Sequence, residues 1–398
     1  IDISTLTLAW DFNTMSSQAA HGDILAMRDD ALARIDAEGA QLTITETRTF
    51  APDENAYIAT EYVGTFRVPN YTTELTFGEG TDAMTGYVLR RGADGHPVAD
   101  GWIEQPFWVR VPRSALDGTP HHLVQYGHGL LGTGDEVEAG YNDKIAFDHH
   151  YIMFATNWIG MAEEDFGRTQ YAVFELSRFV WLAERLQQGV VDFLALGHAM
   201  KSGFGSLPAV QTAGIQIADD GMFYSGISQG GIFGATYMAL STDVTRGHLG
   251  VPGQNYSTLL HRSKDFEQFF LALRGAYRTP DNIAVALSTI QLLWDATDPT
   301  SHYRHITAEP YPNTPVHHIL AGPAKGDYQV SPLTMEVVAR SGIGVSLLAN
   351  YDDERTVPLV SETPYPVSGS GIVLWDFGNP WPEPGNHPPV EDELGDPH

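Results

Sequence analysis

The order of hydrophobic and polar positions divides the chain into two parts. In the first part the pattern predicts strands at residues 6–12, 41–50 and 56–68 and a helix at residues 23–37. The helical segment has apolar residues at spacings of three and four, whereas the strand segments are rich in β-branched and aromatic residues. We therefore predict a small α+β module with linker strands, which extends to residue 101.

From residue 102 onwards, predicted strands alternate with helices. The strands are expected at residues 107–111, 123–126, 151–156, 222–224, 248–251, 316–320 and 371–375, and the helices at 171–199 and 230–240. The first helix is expected to bury one apolar stripe. This alternation predicts an α/β fold, a mostly parallel sheet with helices on both faces, over residues 102–398. Residues 256–303 are helical in pattern without a strand, which predicts a helical lid inserted over a pocket.

Charge and composition exclude several classes of protein. The 398 residues include 22 basic and 50 acidic side chains, a net charge of −28, and a surface of that sign repels nucleic acid. No apolar run approaches the ~18 residues that a membrane-spanning helix needs. Because the chain has no cysteine, it cannot form disulfides, thiolate metal sites or a thiol nucleophile.

The strongest chemical motif is Gly226-Ile227-Ser228-Gln229-Gly230, which lies between a predicted strand and a helix of small residues. A strand–turn–helix of this kind raises the serine hydroxyl above the sheet, and the flanking glycines leave room for neighbouring backbone. The Gln229 amide, at the start of the helix, is then directed at a developing oxyanion. We interpret Ser228 as a nucleophile. The alternative is an ordinary serine in a glycine-rich turn.

A second motif, Gly127-His128-Gly129-Leu130-Leu131-Gly132, directly follows the strand predicted at 123–126. An ester hydrolase needs a second backbone N–H beside the first, and a loop in this position supplies it. Leu130 is the expected donor. His128 is then part of the loop architecture and not the catalytic base, and the alternative is again a plain glycine-rich turn.

Residues 126–132 (YGHGLLG) and 224–231 (YSGISQGG), in this order and spacing, resemble the α/β-hydrolase superfamily. Within it they are similar to bacterial lipases and esterases of the His-Gly-x type. The resemblance covers about residue 102 to the end. More loosely, residues 8–14 and 66–70 resemble a group of large exported bacterial lipase-like proteins.

The resemblance implies a serine carboxylester hydrolase that forms an acyl-enzyme on Ser228 and needs no cofactor or metal. The substrate would be a small-molecule, lipid or polyester ester. The chain begins with Ile1 and not with Met. We therefore expect a removed signal segment and a secreted, periplasmic or cell-surface protein, without stable membrane insertion. The oligomeric state stays open.

In this superfamily the acid follows a strand after the serine, and the histidine comes last. Asp327 follows the strand predicted at 316–320, in a Gly-Asp-x-x-Val turn that resembles the superfamily's acid turn. It would fix the histidine tautomer and stabilise the imidazolium. Asp352 and Asp353 are the weaker alternatives.

Two histidines follow the last predicted strand. His387 lies in a proline-rich loop, and His398 is the final residue, within Asp396-Pro397-His398. The exported lipase-like group carries a similar Asp-x-His motif, which favours His398, but a terminal side chain normally frays. Superfamily members usually have one more helix after this histidine, so we expect the chain to be cut just after His398. Both candidates for the base stay open.

Other residues have weaker signals. Trp158 and Met161 lie beyond a predicted strand and are candidates for the wall of an acyl pocket, whereas Phe269 and Phe270 are expected in the core of the lid. The acidic segment 163–165 would bind calcium or a substrate amine, or form a solvated loop, which the net charge favours. The paired histidines at 121–122 and 317–318 lie on strands, where neighbouring side chains point to opposite faces, and we predict no zinc site.

Two other functions remain compatible with these motifs. A peptidase-like amide hydrolase would use the same nucleophile and hold a substrate amino group on Glu163 and Glu164. A non-catalytic surface-binding protein would keep the fold without the reaction. The intact serine and His-Gly-Leu motifs favour the ester hydrolase.

Overall fold

The computed structural model describes residues 15–78, 84–349, 351–383, 385–391 and 393–398. The strand predicted at residues 6–12 and the resemblance noted at residues 8–14 lie outside these ranges. Within them, the strands are β1 (Leu42–Thr49), β2 (Ile58–Pro69), β3 (Thr72–Phe77), β4 (Met84–Leu89), β5 (Trp102–Pro112), β6 (His121–Gly127), β7 (Tyr151–Ala155), β8 (Ile217–Ile227), β9 (Arg246–Gly250), β10 (His318–Gly322), β11 (Val345–Leu347) and β12 (Ser370–Ile372).

Ten of these strands form one sheet in the order β1-β2-β5-β7-β6-β8-β9-β10-β12-β11, and β3 pairs with β4 in a separate hairpin. The strands from β7 to β11 in that order are parallel, whereas β1, β2 and β5 pair antiparallel. The predicted mostly parallel sheet is therefore confirmed. The boundary at residue 101 stays a prediction, but the strands before it are not an independent sheet, because β2 pairs with β5 along its whole length.

Helices connect these strands and cover both faces of the sheet. They are α1 (Ser17–Glu38), α2 (Gly140–His149), α3 (Phe166–Phe174), α4 (Val180–Gly203), α5 (Pro208–Thr212), α6 (Gln229–Leu240), α7 (Tyr256–Leu259), α8 (Glu267–Tyr277), α9 (Pro280–Trp294), α10 (Arg304–Thr307) and α11 (Leu333–Arg340). The main hydrophobic core joins α1, α4 and α6 to one face. On the other face, Ala146 of α2 packs with Val124 and Met153 in a smaller cluster.

The helix predicted at residues 171–199 is interrupted, and this part of the prediction is wrong. The backbone of Glu175 leaves helical geometry, with φ −134° and ψ 82°. The next amide, on Leu176, donates to the hydroxyl of Tyr277 on α8. Helix α4 is also buried around most of its circumference and not along one stripe. It lies between α1 and the sheet, so apolar contacts surround it.

The segment between β9 and β10 is helical, as predicted for the lid, and contains α7, α8 and α9. Helix α9 begins at Pro280, where the Thr279 side chain caps the Asn282 amide. Its buried residues include Ile283, Leu287 and Ile290, which lie on one side of the helix, and of these Leu287 and Ile290 line a cavity. Among the residues that the structure describes, no helix is both long and apolar enough to cross a membrane.

Candidate active site

Ser228 lies on a sharp turn between β8 and α6. Its φ of 57° and ψ of −123° are strained for a residue with a side chain. The turn is held by backbone hydrogen bonds on both sides, from Ser228 N to Gly250 O at 3.1 Å and from Ile232 N to Ser228 O at 2.9 Å. The strain is therefore imposed by the neighbouring strand and helix, as at a nucleophile elbow.

The glycines of the motif are required by close backbone contacts. A Cβ on Gly226 would lie 2.5 Å from the carbonyl oxygen of Gly230, and a Cβ on Gly230 would overlap the carbonyl oxygen of Gly127. The elbow therefore packs directly against the start of the loop that follows β6. A side chain at either glycine would force the two segments apart.

The sheet order and the elbow together decide the fold. The serine turn follows the central strand β8, and the His-Gly-Leu loop follows the adjacent strand β6. A strained strand-to-helix serine turn beside such a loop defines one architecture. The fold is that of an α/β-hydrolase.

The loop after β6 lies against Ser228. An ideal Cβ on Gly129 would be 3.9 Å from the Cβ of Ser228. The next peptide carries the Leu130 N–H, and α6 begins with the Gln229 N–H. Among the described residues, neither amide has a hydrogen-bond acceptor. Both sequence-predicted donors therefore remain available to a ligand oxygen.

His128 holds the loop and is unsuited to act as a base. It is completely buried, and its Nε2 accepts a hydrogen bond from Trp158 N at 2.7 Å. Nδ1 consequently carries the hydrogen and donates to Gly129 O at 2.8 Å. Burial lowers the pKa of His128 to about 4, so the ring is neutral at pH 7. The Gly129 C=O and the Leu130 N–H belong to the same trans peptide and therefore point in opposite directions. The hydrogen bond from His128 to Gly129 O thus turns the Leu130 N–H away from His128.

Asp327 and His398 form a hydrogen-bonded pair. The Oδ2 atom of Asp327 is 3.0 Å from Nδ1 of His398. Oδ1 of the same buried carboxylate accepts hydrogen bonds from the amides of Gln329 and Val330, each at 2.8 Å. The carboxylate is therefore fixed, and it leaves the other imidazole nitrogen free. Nε2 of His398 is buried and has no hydrogen-bond partner in the described part of the chain, so no hydrogen bond joins it to the Ser228 hydroxyl.

Asp396 attaches the final residues to the turn of the acid. Its Oδ1 accepts hydrogen bonds from Tyr328 N at 3.1 Å and from His398 N at 3.2 Å, and its Oδ2 accepts one from the Gln329 side chain at 3.0 Å. The Asp-x-His motif thus has a structural basis. The terminal histidine is held in place because the residue two positions before it is anchored.

The charges around His398 favour its protonated form. Burial by itself would lower the pKa of His398. The net shift is nevertheless upward, because Asp327 accepts a hydrogen bond from the ring and because the charges of Asp327, Asp396 and Asp265 favour the imidazolium. Burial also raises the pKa of Asp265 above its ordinary value. The carboxylates around His398 therefore stabilise its imidazolium form.

The other candidates for acid and base lie elsewhere. His387 is exposed, and its Nδ1 is 3.0 Å from the carbonyl oxygen of Pro388. Asp352 accepts a hydrogen bond from Trp381 Nε1 at 3.0 Å and lies 3.5 Å from Lys325 Nζ, and Asp353 is exposed. The structure brings His398 to Asp327, and it brings none of these three residues there.

Ser228 opens into a narrow apolar cavity beneath the lid, with about 830 Å³ of empty space including its mouth. The wall combines residues of α3, α4, α6 and the lid, among them Val173, Leu182, Ile232, Phe269, Leu287, Ile290 and Trp294. Met161 lines this cavity, and its contact with an acyl chain stays a prediction. Phe269 is both buried and part of the cavity wall, whereas Phe270 is not among the lining residues.

The prediction that Trp158 lines the pocket is wrong. Its ring is completely buried and stacks on Phe193 of α4, with ring centroids 3.3 Å apart. A tryptophan that follows a strand has the same sequence pattern whether it is buried in the core or lines a pocket. Here it is buried because α4 places Phe193 against its ring.

The acidic segment 163–165 is not a solvated loop throughout. Asp165 is completely buried and bonded to the guanidinium groups of Arg168 at 2.5 Å and Arg185 at 2.8 Å. Glu164 also pairs with Arg185, and Glu163 is exposed. Within the described ranges, no group of three or more His, Asp or Glu side chains has the geometry to hold a metal ion.

Sequence reasoning missed two carboxylates beside the site. Asp265 lines the cavity together with Ser228, and Glu136 accepts a hydrogen bond from Gly129 N in the loop after β6. With 50 acidic residues in the chain, neither position has a distinguishing signal. Asp265 lies in the lid and Glu136 in a short 3-10 helix at residues 134–138, and both reach the site only through the tertiary fold.

No protein-family model matches the sequence, and no curated protein is significantly similar to it. Among solved structures, the chain is similar to acetyl xylan esterase 1 from Thermoanaerobacterium sp. JW/SL YS485, with 12% identity, a TM-score of 0.48 and 95% of each chain covered. It is similar to the rice cell wall degrading esterase LipA from Xanthomonas oryzae, with 10% identity, a TM-score of 0.41 and coverage of 86% of this chain and 91% of LipA. A Pyrococcus horikoshii acylaminoacyl peptidase aligns with 11% identity and a TM-score of 0.39, over 80% of this chain and 44% of the peptidase.

Proposed function

We propose that the protein is a serine carboxylester hydrolase that forms an acyl-enzyme on Ser228. The observation that carries this proposal is the strained serine turn. Ser228 lines an apolar cavity and lies beside the amides of Leu130 and Gln229, which have no acceptor among the described residues. The Asp327–His398 pair, at the same edge of the sheet, supplies a histidine with a free Nε2. These groups suffice for acyl transfer.

The proposed steps follow from these positions. Nε2 of His398 takes the hydroxyl proton of Ser228 as Oγ attacks the ester carbonyl carbon. The resulting oxyanion accepts hydrogen bonds from the amides of Leu130 and Gln229. The imidazolium, stabilised by Asp327, then gives its proton to the leaving alkoxide. In the second half, Nε2 of His398 takes a proton from water as its oxygen attacks the acyl carbon. The bond from this carbon to Ser228 Oγ then breaks, His398 gives the proton to Oγ, and the acid is released.

The cavity indicates which side of the substrate it holds. Its wall is almost entirely aliphatic and aromatic, so it favours an apolar acyl chain and not a charged or sugar-like group. We propose an ester of such an acyl chain, from a small molecule, a lipid or a polymer. Export of the protein stays a prediction.

The amide-hydrolase alternative loses half of its supporting feature. Of the two glutamates that would hold a substrate's amino group, Glu164 is paired with Arg185, and only Glu163 is exposed without an arginine partner among the described residues. We therefore expect p-nitrophenyl esters to be turned over far faster than aminoacyl p-nitroanilides. The reverse preference would favour the peptidase-like function.

Covalent labelling with a fluorophosphonate probe tests the proposal. The wild-type protein should be labelled on Ser228, and Ser228→Ala should abolish labelling and reduce kcat at least ~10³-fold without loss of fold. Ser225→Ala is the matched control, because Ser225 lies on β8 and contacts His248 at 3.4 Å instead. Absence of labelling in the wild type, or labelling that survives Ser228→Ala, would favour a non-catalytic binding protein or another nucleophile.

A further inference from the structure

The carboxylate of Glu136 lies against the loop that carries the Leu130 amide. Its Oε2 accepts a hydrogen bond from Gly129 N at 2.8 Å. A Cβ on Gly132 would overlap the other oxygen, Oε1, so that oxygen lies against the Cα of Gly132. One carboxylate therefore contacts both ends of the turn at residues 129–132.

These contacts act on the peptides that orient the Leu130 N–H. Glu136 holds the peptide on the N-terminal side of Gly129. The peptide on the other side is held at Gly129 O by His128 Nδ1 at 2.8 Å and by Gly132 N at 3.2 Å. Both torsion angles of Gly129 are thereby fixed. This restraint is needed because glycine is the most flexible residue, and because Leu131, with φ of 51°, is strained.

Glu136 is itself attached to rigid structure. It lies in the 3-10 helix at residues 134–138, whose first amide, on Gly134, donates to Asn157 Oδ1 at 2.7 Å. Val137 is completely buried in the smaller hydrophobic cluster. The position of the carboxylate is therefore set by the ends of the sheet strands and not by the loop that it contacts.

We propose that Glu136 is a positioning residue for the reaction on Ser228: it fixes the Gly129 peptide so that the Leu130 N–H points at the oxyanion. This inference rests on the proposed ester-hydrolase function. Glu136 does not contact the reacting atoms in this scheme. It acts through the loop, and its contribution appears in the transition state because only there does the oxyanion carry its charge.

Three substitutions separate position from charge. Glu136→Gln keeps an acceptor oxygen of the same reach, Glu136→Asp keeps the charge but shortens the side chain, and Glu136→Ala removes both. The matched control is Asp135→Asn, since Asp135 is an exposed neighbour whose carboxylate accepts from the Thr133 hydroxyl and does not contact the turn. Each variant is assayed with a p-nitrophenyl ester and with a trifluoromethyl ketone, which forms a tetrahedral oxyanion adduct on the serine.

We expect Glu136→Ala and Glu136→Asp to lose about 10- to 100-fold in kcat, with KM changed less than about threefold. Their affinity for the ketone should fall in parallel. Glu136→Gln and Asp135→Asn should stay within about fivefold of the wild type in both measurements. Melting temperatures confirm that each variant is folded, and if Glu136→Ala fails to fold, the comparison of Glu136→Asp with Glu136→Gln decides.

Several results would overturn the proposal. They are a folded Glu136→Asp variant with unchanged kcat and ketone affinity, a Glu136→Gln variant as impaired as Glu136→Asp, and a loss confined to KM. Failure of the proposed ester-hydrolase function gives a different result from failure of the Glu136 proposal. If the function is wrong, the wild-type protein itself is not labelled by the fluorophosphonate, whereas if only the Glu136 proposal is wrong, the wild-type protein is labelled and the variants behave as listed above.

Discussion

Asp327 and His398 lie 3.0 Å apart between Oδ2 and Nδ1, although 71 positions separate them in the chain. Asp327 is placed by the end of β10, a strand in the middle of the parallel sheet. His398 is placed by Asp396, which accepts hydrogen bonds from the residues that follow Asp327. The pair therefore depends on the docking of the final residues onto the acid turn.

The two candidate histidines give a direct prediction. Replacing His398 with alanine should reduce kcat at least ~10³-fold, because the base is lost. The matched change His387→Ala should leave kcat within about twofold, since His387 is exposed and contacts only the backbone of Pro388. Steady-state kinetics on a p-nitrophenyl ester compares the two, and an inactive His387→Ala with an active His398→Ala would reverse the assignment.

The pH dependence of kcat/KM should report the charges around His398. The base must be neutral to act, so kcat/KM rises with pH as His398 loses its proton. The midpoint of this rising limb should lie above the ordinary histidine pKa of ~6.5, because the pKa of His398 is raised. Asp265→Asn removes one of the charges that raise it and should move the limb to lower pH. Glu267→Gln is the control, because Glu267 is exposed and pairs with Lys264. A limb that Asp265→Asn leaves in place would show that Asp265 is not coupled to the base.

The apolar cavity predicts a change in chain-length preference. Ile290 lines the cavity from α9, so Ile290→Phe should reduce kcat/KM for p-nitrophenyl esters of long acyl chains about tenfold while leaving acetate and butyrate esters within about threefold. Leu292→Phe is the matched control on the same helix, since Leu292 is 60% exposed. Equal losses for all chain lengths would mean that the acyl chain does not occupy this cavity.

His198 should make stability depend on pH. It lies 2.8 Å from Asp243 and 2.9 Å from Asp36, and mainly the hydrogen bond to Asp243 raises the pKa of His198 to about 9. A raised pKa means that the folded state favours the proton, so this stabilisation is complete below ~6.5 and is lost as pH rises through about 9. His198→Leu should lower the free energy of unfolding by about 1 kcal/mol at pH 6 and by much less at pH 10. Urea unfolding of the wild type and the variant at both pH values measures this loss. A loss of the same size at both pH values would contradict the proposed dependence on His198 protonation.

The amino-acid sequence alone determined the local features of this protein. The elbow at Ser228 and the loop at residues 127–132 could be predicted because glycine spacing and a strand–turn–helix order act within a few residues. The parallel sheet followed from the alternation of apolar segments. The proposal of Asp327 as the acid rests on its turn and on the superfamily resemblance.

Only the tertiary structure decided the features that depend on distant contacts. It placed His398, and not His387, beside Asp327 through the anchoring of Asp396. It also packed Trp158 in the core against Phe193 and joined the N-terminal strands to the main sheet. It also placed Glu136 against the loop at Gly129. The physical reason is the same in each case: hydrogen bonds and packing between segments far apart in the chain set these positions, and a local pattern of residue types carries no record of which distant segment will be the partner.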